Sequence, residues 1–95
     1  MTWHDVGRFI FCTDNDDTVV MFATVGPYED ALVYEDDCIR YHGHWGRDPH
    51  PRPATKHEIY SWFPTDESGR LELRIEEGYR TEIEAIIRRC SESAQ

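Results

Sequence analysis

Two short runs of carboxylates and one pair of histidines are the residues whose types and spacing could do chemistry in this chain. The first run is Asp14-Asn15-Asp16-Asp17 and the second is Glu35-Asp36-Asp37, with Glu29 and Asp30 between them. His42 and His44 stand two apart. On a strand that spacing sends both rings to one face, which is metal-ligand spacing. Cys38 would share the face, and His50 and His57 follow in the next stretch. Two histidines bind zinc weakly, so His42 and His44 would need a third donor to act as a metal site. The commoner use of such residues is as solvent-facing or partner-facing strand positions, and no cofactor is expected.

Other chemistries fail on residue type. Asp48, four after His44, is faintly like the first motif of a cupin, but Asp36 stands where the leading glycine belongs and no second histidine motif follows. The Asp14–Asp17 run opens like a calcium loop, but an EF-hand needs Gly at its sixth position and Glu at its twelfth, where this chain has Val19 and Val25. A nucleophilic enzyme needs an activated Ser or Cys beside an orienting base, and Cys12 and Cys90 fall on apolar faces suited to packing. There is no glycine-rich phosphate loop. The paired carboxylates sit in turns, where nothing raises one pKa above another. The chain is therefore expected not to be an enzyme.

Charge is distributed unevenly. Of a formal net charge of −9, residues 1–37 carry −8, since nine carboxylates there face Arg8 alone. A field of that sign repels nucleic acid and anionic membrane and attracts basic protein surfaces. Cys12, Cys38 and Cys90 are widely spaced and odd in number, which suggests reduced thiols and a cytoplasmic location. The N-terminus lacks the pattern of a signal peptide, and the longest apolar run, Val19 to Ala23, is too short to span a bilayer.

The elements that must position these residues read as follows. With 95 residues the chain is a single domain, 1–95, with one modest core. Arg8–Cys12, Thr18–Val25, Tyr28–Tyr34 and Cys38–Trp45 read as four strands separated by short polar turns. Met1–Gly7 reads either as a helical turn or as a lead-in to the first strand. Thr18–Val25 is nearly continuously apolar, which predicts a central strand buried on both faces. In Cys38–Trp45, Ile39, Tyr41 and Trp45 alternate with Cys38, Arg40, His42 and His44. The proline-rich Gly46–Pro53 is a loop. Thr55-x-x-Glu58 is a capping box that starts a short helix ending before Pro64. Leu71, Leu73 and Ile75 alternate with charged residues, which predicts a fifth strand. Thr81-x-x-Glu84 reads as a second capping box, before Ile83, Ile86, Ile87 and Cys90 at helical spacing. The fold class is α+β: a four- to five-stranded antiparallel meander with one short helix and a C-terminal amphipathic helix on one face.

That topology gives the acidic runs a joint role. In an up-and-down meander both turns leave the same end of the sheet, which would gather Asp14, Asp16, Asp17, Glu35, Asp36 and Asp37. Gathered like charges cost folding stability and could mimic phosphate spacing toward an Arg- or Lys-lined groove. Glu29 and Asp30 belong to the opposite end and could act separately. Trp45, followed by Gly46-Arg47 and the proline loop, is a candidate docking anchor. An exposed edge strand, Arg8–Cys12 or Leu71–Ile75, could pair two copies into a homodimer.

In kind the chain resembles the small acidic proteins of phages and mobile elements, above all anti-CRISPR proteins. The resemblance rests on size, acidic turns, the strand-rich first half, and Thr55-x-x-Glu58-Ile59-x-x-Trp62-Phe63 on a helix against a meander. It implies a non-enzymatic inhibitor in the host cytoplasm that occupies the nucleic-acid site of a CRISPR effector subunit without touching nucleic acid itself. The same physics would suit an immunity protein that neutralises a bacterial toxin.

Overall fold

A computed structural model of the chain describes residues 1–24, 30–44, 50–63, 65–72 and 74–94, with backbone alone at Asp30 and His44. Among them six strands form one antiparallel sheet in chain order: β1 (Thr2–Asp5), β2 (Phe9–Thr13), β3 (Val19–Thr24), β4 (Asp30–Glu35), β5 (Cys38–His44) and β6 (Arg52–Pro53). Helices α1 (Lys56–Trp62) and α2 (Glu77–Ser93) complete the α+β fold. Every strand thus pairs with its neighbour in sequence, the arrangement that short polar turns between apolar runs favour.

Alternation along the strands sorts the side chains into two faces. Phe9 and Phe11 of β2, Phe22 of β3, Leu32 and Tyr34 of β4 and Ile39 of β5 all turn to the helix side and are buried. Ile59 and Phe63 reach them from α1, and Ile83, Ile86, Ile87 and Cys90 from α2. Phe22 sits at the centre, with ring centroids 5.4 Å from Phe9, 5.2 Å from Phe63 and 5.1 Å from Tyr34. Aromatic packing at such separations adds to the burial of each ring. On the other face Trp3, Met21 and Arg40 are at least partly exposed, and neither helix packs there. β3 is central as the sequence predicts, but Met21 is exposed because both helices lie on one side, and Val20 is exposed where the β2–β3 register shifts.

α1 starts as the sequence predicts. The Thr55 side chain accepts from the Glu58 backbone N–H at 3.2 Å, and the Glu58 carboxylate accepts from the Thr55 N–H at 3.0 Å. The same carboxylate takes a two-pronged pair of hydrogen bonds from Arg52, both 2.8 Å, which ties β6 to α1. The Arg52 guanidinium also lies 4.4 Å over the Tyr41 ring. These donors, Arg52 first, hold the Glu58 carboxyl down at about 2.

Elsewhere the chain departs from its sequence reading. Of the two readings of Met1–Gly7 the helical turn falls, since Thr2–Asp5 is a strand of its own ahead of β2, and Arg52–Pro53 adds a short strand at the other edge. Arg8–Cys12 is therefore no edge: β2 lies between β1 and β3, so it cannot pair two copies. Of the expected fifth strand Leu71–Ile75, Leu73 lies outside the described residues and the other four lie in no strand; Leu71 makes one isolated bridge to Thr65, and its N–H goes to the Glu84 carboxylate at 2.9 Å. That diversion also explains the misread start of α2. Glu84 serves Leu71 and does not cap the helix, while Thr81 Oγ1 bonds back to the Glu77 carbonyl from inside it. The helix begins five residues earlier than that box implies, with Glu76 at its N-cap position and no side-chain cap.

Two consequences can be measured. Phe22→Ala, which empties the middle of the core, is expected to cost about 3–5 kcal/mol in urea unfolding. Glu58, depressed in the folded state, contributes stability that is present above its unfolded pKa and lost as pH falls through about 2. Glu58→Gln is expected to flatten the acid limb of the stability profile below about pH 4.5.

Candidate functional site: the acidic end of the sheet

Pairing of β2 with β3 and of β4 with β5 sends the turns at residues 14–18 and 36–37 out of the same end of the sheet. The end residues of β3 and β4 lie between them, and one surface groove is lined by Thr18 from the first turn, Val19 at the start of β3, and Asp36 and Asp37 from the second turn. Asp16, Asp17, Asp36 and Asp37 are exposed and Asp14 and Glu35 partly so. The six carboxylates therefore share one end of the molecule. Asp30 stands at the opposite end of β4, and Glu29 and Trp45 lie outside the described residues.

Each turn has its own local logic. Glu35 and Cys38 face each other, which leaves Asp36-Asp37 as a two-residue hairpin loop with φ of +51° and +62°. Positive φ at both positions is the type I′ turn, which favours Asn-Gly and strains aspartate. The first turn is built on Asp14, whose carboxylate accepts from the backbone N–H of Asp16 at 2.9 Å and of Thr18 at 3.0 Å. Asp17 closes it at φ +58°. A turn of the same construction occurs at residues 66–70. There Asp66 accepts from Ser68 and Arg70, and Gly69 takes the left-handed position at φ +81°. The chain thus uses glycine where backbone geometry alone decides, and aspartate at the matching position of the acidic end.

The carboxylates are not equally engaged. Asp17 accepts from the Tyr79 hydroxyl of α2 at 3.3 Å, and Asp37 from the Tyr34 hydroxyl at 3.3 Å. Burial, and secondarily the facing carboxylate, raises the pKa of both phenols, so they stay donors. Arg89 of α2 donates to the Tyr34 hydroxyl at 3.2 Å. Glu35 meets His42 Nε2 at 2.7 Å. Among the described residues the side chains of Asp16 and Asp36 make no hydrogen bond. Sequence reasoning missed Glu82, whose Oε1 accepts from the Val19 N–H at 3.0 Å and which brings a further carboxylate to this end from α2. A helical Glu at exposed spacing gives no signal of that reach.

Of the histidine pair, His42 meets Glu35, and the His44 side chain lies outside the described residues. The β4–β5 register shifts so that Asp30 faces His44 while Leu32 faces Tyr41, and Gly43 within the extra residue has φ +72°. Among the described residues no group of three or more His, Cys, Asp or Glu could hold a metal ion. Cys12 and Cys90 are buried, and burial pushes the Cys90 thiol above its ordinary value. Among the described residues no helix is long and apolar enough to cross a membrane. Comparison with family models, curated proteins and solved structures finds no match.

The Asp36→Asn, Asp37→Gly double substitution is expected to stabilise the fold by about 1 kcal/mol or more in urea unfolding, because it relieves two left-handed aspartates and a like-charge contact.

Proposed function

We propose that this chain is a non-enzymatic inhibitor that binds a basic, nucleic-acid-binding surface of another protein through the acidic end of its sheet. The single observation that supports it is the convergence of two hairpin turns built from aspartates in backbone conformations that cost stability. Carboxylates with spare acceptor capacity at such an end would meet arginines by charge-assisted hydrogen bonds, the strong kind. The resemblance to anti-CRISPR proteins names one target of this chemistry, a CRISPR effector subunit in a host cytoplasm; a bacterial toxin with a cationic active face is another.

The neutral Asp36→Asn, Asp37→Gly variant separates binding from folding, since it removes two charges while suiting the turn. Displacement of labelled DNA from a guide-loaded CRISPR effector, followed by fluorescence anisotropy, is the measurement. The native chain is expected to displace DNA at about 50 mM salt and to lose at least about tenfold in potency by about 300 mM. The neutral variant is expected to lose about ten- to a hundredfold at low salt, the loss of one or two charged hydrogen bonds. Equal potency of the two chains would rule out the acidic end as the contact.

A further inference from the structure

The acidic end is not a flat patch. A groove of about 450 Å³ runs between it and α2, lined by Val19 and Val20 of β3, Ala85 and Ile86 of α2, and the carboxylates of Asp36, Asp37 and Glu82. Its walls differ in kind. Val19 and Ile86 are buried and Val20 and Ala85 are exposed, so the floor is apolar and reachable. The mouth is anionic: Glu82 spends one oxygen on the Val19 N–H, and Asp36 makes no side-chain bond among the described residues. One guanidinium already sits in this setting, since Arg89 lines the groove and donates to the Tyr34 hydroxyl, which in turn donates to Asp37. Three carboxylates against that single cation leave the groove with a net negative charge.

Resting on the function proposed above, we infer that this groove receives an arginine side chain of the partner protein. An arginine suits both halves of it. Its methylene stem lies along apolar surface while its planar head spreads over carboxylates, and its weak hydration makes it cheaper to desolvate than lysine. Asp36 and the second oxygen of Glu82 are the acceptors, and Val20 and Ala85 flank the stem. The partner is thus read by an inserted side chain as well as by its overall charge.

The probe is an acetylated Gly-Arg-Gly-Arg-Gly amide, with its lysine counterpart, titrated into isotopically labelled native chain by NMR. The arginine peptide is expected to bind at least about fivefold more tightly than the lysine peptide, with shifts centred on the Val19, Val20, Ala85 and Ile86 amides. Ala85→Trp, on the exposed side of α2, fills the groove without altering charge and is expected to weaken binding at least tenfold; Val20→Trp fills it from the opposite wall. Undiminished binding to both filled variants, with weakened binding to the Asp36→Asn, Asp37→Gly chain, would overturn the groove and leave the acidic end standing. Undiminished binding to all three would overturn both.

Discussion

The packing of Phe22 against Phe9, Phe63 and Tyr34 is the contact on which the rest of the structure depends. It joins the middle of the sheet to the end of α1 and stands beside the residues that receive α2. In a chain this small, one such cluster supplies a large part of the apolar burial that offsets chain entropy. It also commits the sheet to a single covered face. Both helices come to the aromatic side, and the opposite face keeps Trp3 and Met21 in contact with solvent. Tyr34 links this core to the acidic end, because its ring stacks on Phe22 while its hydroxyl reaches Asp37 and receives Arg89.

The helix α2 does more than cover the core. Its Glu82 and Glu84 accept from the backbone N–H groups of Val19 and Leu71, one at the register shift between β2 and β3 and one in the segment after α1. Its Tyr79 and Arg89 engage the acidic end from the same side. The geometry of that end is therefore set jointly by sheet and helix. A buried N–H without a partner costs more than a typical hydrogen bond contributes, which makes these glutamates structural as well as electrostatic.

Much of the fold was legible because its signals were local. Apolar runs separated by Asp-rich turns read directly as a meander, and Thr55 with Glu58 marked the start of α1 to the residue. The misreadings share a cause, which is side chains recruited by distant backbone. Leu71 alternates like a strand residue, yet its N–H is claimed by a glutamate of α2. Glu84 looks like the second half of a capping box for the same reason. β1 escaped notice because it is short and mostly exposed, and its anchor is His4, which stacks on Phe11 with centroids 4.4 Å apart and bonds Thr13. At the candidate site the two acidic turns were readable. The groove beside them was not, since it depends on where α2 lies across the sheet. Gly43 gave a visible hint of the register shift between β4 and β5, but a glycine within a strand does not say in which direction the register slips.

The twin turns at residues 14–18 and 66–70 hold one further lesson. Both close on an aspartate that accepts from the backbone two and four residues on, and they differ in whether aspartate or glycine takes the left-handed position. The scaffold therefore tolerates either residue there without redrawing the loop. Over evolutionary time such tips can gain or shed electrostatic character while the aromatic interior stays fixed, so the periphery can be retuned long before the architecture has to give way.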